Sequence, residues 1–211
     1  MKKCLRMIKW PVALRERPLT ETSKFPRVAI ALVHFPIMDG QKDVVATNIT
    51  NFDIHDIARA ATVYAVEKYY LIHPVQEQLM FVERVLDHWK VGTGAKFNPM
   101  RRTALNPVRT ALNLDQALKD WGVENPLVLC THARSVSGCQ NYSFKEVREI
   151  LKSADRPVFI IFGTGYGLTD DFMRAQGGLL ESIKGSGPQD YRHLSVRSAV
   201  SIILDRLMGS W

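Results

Sequence analysis

The sequence predicts an α/β fold: a mostly parallel sheet with helices on both faces. Continuous apolar runs recur at residues 28–34, 68–72, 126–130 and 157–162, the pattern of strands buried on both faces rather than of a half-exposed sheet. Between them lie segments whose apolar residues step by three and four, as amphipathic helices require. The run Pro157 to Phe162 then breaks into Gly163-Thr164-Gly165-Tyr166-Gly167-Leu168, a glycine-dense turn that lets main chain approach a ligand closely.

Each element follows from its own residues. Val28 to His34 reads as a buried strand, Pro36 to Lys42 as a turn, and Val44 to Thr47 as a short extended piece. Asp53 to Val66 has Ile54, Ile57, Ala58, Ala61 and Ala65 on one helical face, with Asn51 or Asp53 as candidate cap. Lys68 to Ile72 is a strand ended by Pro74, and Glu77 to Trp89 an amphipathic helix through Leu79, Val82, Val85 and Leu86. Val91 to Pro99 reads as a glycine-rich loop, a helix starting at Asn113 or Leu114 runs to Trp121, and Pro126 to Cys130 is a strand that buries Cys130. Ser143 and Glu146 form a capping box for a helix to Ser153. After the glycine turn come a short helix from Thr169, a strand from Gly178 to Ile183, and a last helix from Ser195 to Met208.

Composition narrows the function. At 211 residues and 46% apolar, the chain can bury a full core as one domain, expected over residues 28–211. No apolar run approaches the roughly 18 residues of a membrane span, so no membrane role is expected. Three cysteines, Cys4, Cys130 and Cys139, lack metal-ligand pairing, which predicts free thiols, a reducing cytoplasm and no metal. Residues 1–27 hold eight Lys/Arg against two Glu, a net +6, and the remainder twenty against nineteen, a net +1. The first 27 residues therefore read as a basic extension, whose Lys9 and Pro11 interrupt any signal-peptide core.

Three constellations remain. Thr47 to Arg59 is a polar entry to the first helix; helix capping explains Asn51 and Asp53 but not Arg59, set among Ala58, Ala60 and Ala61. In the second, Lys90, Lys96, Arg101, Arg102 and Arg109 face only Asp87 and interleave with Trp89 and Phe97, a pattern suited either to a solvated connection or to tracking a phosphate backbone. The third is the glycine turn, where Thr169, Asp170 and Asp171 are explained by capping the next helix. Its late position and G-x-G-x-G spacing argue against a dinucleotide fold, whose fingerprint opens its domain.

Together Asn51 to Arg59, Val158 to Leu168 and Ile183 to Asp205 resemble, in order and spacing, the three motifs of the SPOUT class (α/β-knot) of RNA methyltransferases. Within that class the chain looks most like the small bacterial family related to the C-terminal part of tRNA guanine-N1 methyltransferase fusions. The resemblance implies a C-terminal trefoil knot and a homodimer with its RNA site, for tRNA or rRNA, between subunits. It implies S-adenosylmethionine, leaving as S-adenosylhomocysteine, bound by Thr131, His132, Ala133, Gly163, Gly165, Gly167, Leu168, Ile183, Leu194, Ser195 and Val196. Arg59 matches the arginine many members use near the acceptor; Asp53, Asp56 and His55 are candidate bases. Arg59, Lys90, Lys96, Arg101 and Arg102 are the candidate RNA contacts. Asp53 stands where many ribose methylators carry Asn, which leaves base and ribose acceptors both open. A non-catalytic RNA- or protein-binding module that keeps the pocket is the alternative.

Overall fold

The computed structural model describes residues 27–134, 136–153, 156–187 and 191–210. The chain opens with β1 (Val28–Val33), a small antiparallel pair β2 (Ile37–Met38) and β3 (Val44–Val45), and α1 (Asn51–Val63). It continues through β4 (Lys68–Ile72), α2 (Gln76–Lys90), α3 (Thr93–Phe97), α4 (Pro99–Ala104), β5 (Val108–Ala111) and α5 (Leu114–Trp121). Then come β6 (Leu127–Cys130), β7 (Gln140–Tyr142), α6 (Phe144–Ser153), β8 (Val158–Gly163), α7 (Asp170–Gln176), β9 (Gly178–Leu180) and α8 (Val196–Met208).

Seven strands form one sheet in the order β5-β4-β1-β8-β6-β9-β7, and every pairing in it is parallel. The predicted α/β class is therefore the observed one. Side chains alternate between two faces, and both are covered. Ile30, Leu32, Leu71, Ile160 and Phe162 pack with α1, α2, α6 and α8, while Ala29, Ala31, Tyr70, Phe159 and Ile161 pack with α5 and α7. This double burial is why the strands read as unbroken apolar runs.

Register determines where the site lies. Val33, at the end of β1, pairs with both Ile72 and Gly163, and Cys130 at the end of β6 pairs with Ile161. The carboxyl ends of the central strands finish close to one level, and the loops leaving them share one edge of the sheet. In open parallel sheets that edge is where ligands bind.

Several local expectations are corrected. Thr50, not Asn51 or Asp53, caps α1, its hydroxyl accepting from the Asp53 amide at 3.3 Å. The expected glycine-rich loop over 91–99 contains the short helix α3 instead, and a second, α4, begins at Pro99. Asn98 caps the second, accepting from the Arg101 amide at 3.0 Å, and Pro99 occupies its first turn, the position where a missing N–H costs nothing. Three strands were not expected: β2 lies where a turn was read from Pro36 to Lys42, and β5 and β7 are edge strands. β5 is a four-residue edge strand behind the basic segment, and β7 is a polar edge strand paired to β9. The last strand stops at Leu180 rather than Ile183. The expected capping box is present, with Glu146 accepting from the Ser143 amide at 2.7 Å. Of the basic extension, residues 1–26 lie outside the described residues; Arg27 pairs with Glu67 at 2.9 Å.

Candidate functional site

The loops at the carboxyl ends of β1, β6 and β8, with Glu181 to Ile183 and the stretch from Tyr191 into α8, enclose a cleft of about 1230 Å³. All eleven residues expected to hold the cofactor line it: Thr131, His132 and Ala133 after β6; Gly163, Gly165, Gly167 and Leu168 after β8; and Ile183, Leu194, Ser195 and Val196 before and at α8. The sequence separates them widely. Parallel pairing brings them to one edge.

The glycine turn is held by the chain itself as well as facing the cleft. The Met38 amide donates to the Gly167 carbonyl at 2.9 Å, and the Tyr166 amide to the Met38 carbonyl at 3.2 Å. Ile37 bridges Leu168. A Cβ on Gly163 would lie 2.9 Å from Leu168 Cγ and from the Leu168 amide nitrogen, and one on Gly165 would lie 3.1 Å from Ile37. Part of the glycine signal thus reflects close approach of the small β2 hairpin and Leu168. Gly167 differs: its φ is +100° with nothing near the Cβ position, so conformation alone demands glycine there.

The acidic end of the cleft is built by α1 and α8. Asp53 is 4% exposed and lines the cleft. It accepts from the Thr50 hydroxyl at 2.5 Å and from Arg197 Nη1 at 3.0 Å. Arg197 Nε also lies 3.6 Å from Asp56, so one guanidinium spans both carboxylates. Arg197 was not among the expected site residues. It sits in the first turn of α8, where the helix dipole disfavours a cation; that misplacement was the available signal. Asp56 is exposed and touches the cleft only through Arg197.

Arg59 is exposed on α1 and lies away from the cleft lining. It belongs to a cationic and aromatic surface beside it. Arg101 lies 4.5 Å over the Trp89 ring, and His55 meets the same ring edge-on at 5.8 Å. Burial, with Arg101 and Arg59 nearby, lowers the His55 pKa despite Asp56. Lys96 and Arg102 are exposed on α3 and α4. Lys90 is half-buried, and burial with the Arg109 charge lowers its pKa. Asp170 and Asp171 serve α7 as expected and also pair with cations, Asp170 with Arg134 and Asp171 with Arg174 at 2.7 Å.

Among known proteins, a family model described as SAM-dependent RNA methyltransferase matches residues 27–209. The chain belongs to that family. A relative within reach is an uncharacterised protein of Aquifex aeolicus, 40% identical over 185 residues, covering 86% of this chain and 88% of that one. A tRNA (guanine-N(1)-)-methyltransferase of Oleidesulfovibrio alaskensis is 37% identical over 182 residues, 85% of this chain, yet the match spans only 41% of that protein. In fold the chain matches the AdoMet-bound rRNA methyltransferase of Sinorhizobium meliloti with a TM-score of 0.53, at 17% identity, over 87% of this chain and 56% of that one. The family's dependence on S-adenosylmethionine fits the cleft described. Leu168, Ile183 and Leu194 supply apolar walls between main chain at the glycine turn and the loop after β6, and the volume exceeds the roughly 300–1,000 Å³ of a typical small-molecule site. Among the described residues no helix is long and apolar enough to cross a membrane, and no group of three or more His, Cys, Asp or Glu side chains could hold a metal.

Proposed function

We propose that this chain transfers a methyl group from S-adenosylmethionine to a nucleotide of a structured RNA, tRNA or rRNA, and releases S-adenosylhomocysteine. One observation carries the reading: the eleven residues expected to hold the cofactor line a single cleft, and a buried carboxylate, Asp53, opens onto the same space. Bound there, S-adenosylmethionine supplies an electrophilic methyl carried on a sulfonium sulfur. The chain's own residues must align the acceptor and receive any proton it loses. Asp53 is the carboxylate at hand, oriented by Thr50 and Arg197. Asp56, one turn on, serves through its contact with Arg197.

The RNA-facing surface in this reading is the one bearing Arg59, Arg101 and Trp89, extended by Lys96 and Arg102, with Lys90 at its margin. A guanidinium stacked on an indole offers charge for a phosphate and a flat face for a base. The trefoil knot, the homodimer and a cytoplasmic setting belong to the same reading, on the SPOUT resemblance. Calorimetric titration with S-adenosylmethionine tests it: heat with a sub-millimolar Kd is expected, and none at that concentration overturns it. A second reading, a non-catalytic binding module, is favoured by the double engagement of Asp53. Methyl transfer to total RNA by the unaltered protein excludes the module; RNA binding with no detectable transfer favours it.

A further inference from the structure

Three polar side chains run from the cleft into the sheet. Thr164, in the glycine turn, and Thr47, after β3, both line the cleft, and their hydroxyl oxygens are 2.5 Å apart. Thr47 Oγ1 is 2.9 Å from Nδ1 of His34, the residue that follows β1. His34 is fully buried, and its Nε2 has no hydrogen-bond partner among the described residues. The Thr47 amide also donates to the His34 carbonyl at 3.0 Å, so the two residues are tied through main chain as well.

We propose that His34 is a positioning residue: with its proton on Nδ1 it donates to Thr47, Thr47 donates to Thr164, and the Thr164 hydroxyl is left to donate into the cleft, to an acceptor atom of bound S-adenosylmethionine. The last link rests on the cofactor reading above.

The direction of the chain follows from counting protons. Burial keeps the imidazole neutral, lowering its pKa to about 4, so only one ring nitrogen carries hydrogen. A proton on Nε2 is a buried N–H with no acceptor, a rare and costly arrangement. A proton on Nδ1 leaves only a lone pair unmet and satisfies Thr47. The neighbouring His73, whose ring centroid is 5.9 Å away, offers no alternative partner. Its Nε2 lies 3.2 Å from the Thr47 carbonyl, which can only accept, so that nitrogen carries the proton; its Nδ1 accepts from the Val75 amide at 2.9 Å. Each threonine hydroxyl has one proton to give. Once His34 donates to Thr47, Thr47 gives its proton to Thr164, and that of Thr164 faces the cleft.

Two measurements test this. In protein labelled with nitrogen-15 at histidine, long-range correlation spectra at neutral pH are expected to show His34 Nδ1 protonated and Nε2 bare, the assignment being made by loss of the signal in His34→Gln. The reverse tautomer overturns the relay. By calorimetry, Thr164→Val is expected to weaken S-adenosylmethionine about five- to tenfold, as loss of one hydrogen bond does, while Thr164→Ser retains it. Thr47→Val, which leaves Thr164 in place, is expected to lose as much, and the double valine variant no more than the worse single one. Wild-type affinity in Thr164→Val overturns the donor role. An unaltered protein that takes up no S-adenosylmethionine overturns the cofactor reading and the last link with it; a reversed tautomer with normal binding overturns the relay alone.

Discussion

Asp53, buried in the first helix, accepts a 3.0 Å hydrogen bond from the guanidinium of Arg197, 144 residues further along the chain. The contact joins the two helices packed most closely over the cleft. Its energetic weight is unequal on the two sides, since Asp53 is almost fully covered and the Arg197 side chain is 36% exposed.

Removing the cation should therefore strand the anion. Arg197→Ala is expected to cost about 1–2 kcal/mol, the penalty of an unsatisfied buried acceptor reduced by water reaching the opened space. Arg197→Lys should recover only part, because an ammonium cannot fork to Asp53 and Asp56 together. Urea midpoints at unchanged m-value measure both. An Arg197→Ala protein as stable as the parent would show that Asp53 finds other partners.

The glycines of the turn should separate by mechanism. Gly167→Ala meets no atom but must hold φ near +100°, an expected loss of about 1–3 kcal/mol in stability with cofactor affinity largely kept. Gly163→Ala drives its methyl against Leu168 side chain and main chain at 2.9 Å, which displaces a cleft wall. Stability and S-adenosylmethionine affinity should fall together. Parental affinity in Gly163→Ala contradicts the assignment.

Acid should weaken the fold earlier than carboxylates alone would allow. Burial lowers the pKa of His34 to about 4, and is also the leading cause of the lowered values of His55, His73 and His132. For His34 the unfolded chain takes a proton near pH 6.5 and the folded chain only near 4. Between those values the unfolded state binds more protons, so stability is complete above pH 6.5 and declines as pH falls. Each such histidine contributes a slope of up to about 1.4 kcal/mol per pH unit. Urea unfolding from pH 7.5 to 4.5 should show that decline, shallower by up to one proton in His34→Gln. An identical slope in the variant refutes the buried-neutral assignment.

On the surface, Arg101→Ala should weaken RNA binding and lower the salt slope of log K by about one if the guanidinium meets a phosphate. Trp89→Ala, which removes the platform beneath Arg101 and beside His55, should weaken binding with a smaller change in slope. Filter binding at several salt concentrations separates the two. RNA affinity unchanged in both variants moves the RNA site elsewhere.

The class of fold was legible because burial on both faces leaves unbroken apolar runs such as Val28 to Val33, and motif order gathered residues that the structure places along one cleft. The missed parts share a physical cause. β5 and β7 are short edge strands, one with exposed Arg109 and the other with exposed Gln140 and Asn141, so neither shows a strand period. Arg197 reads as an ordinary polar residue on an apolar-striped helix until its place in the first turn is weighed against the dipole. His34 reads as the end of a strand, because nothing local announces that Thr47 and Thr164 meet above it. Long-range pairing of that kind leaves no trace in spacing.

The register of β1 carries a consequence for the newborn chain. Val28 pairs with Val158 on one side and its strand with β4 on the other, while the cleft also needs Glu181 to Ile183 and residues of α8 as far as Ile203. During synthesis the central strand waits, one flank bare, until more than a hundred further residues have been translated, and the cleft exists only after α8 leaves the ribosome. Over that interval β1 presents an unpaired edge, the kind of surface that makes an unfinished polypeptide prone to aggregate. A chain released before α8 would have no completed cleft.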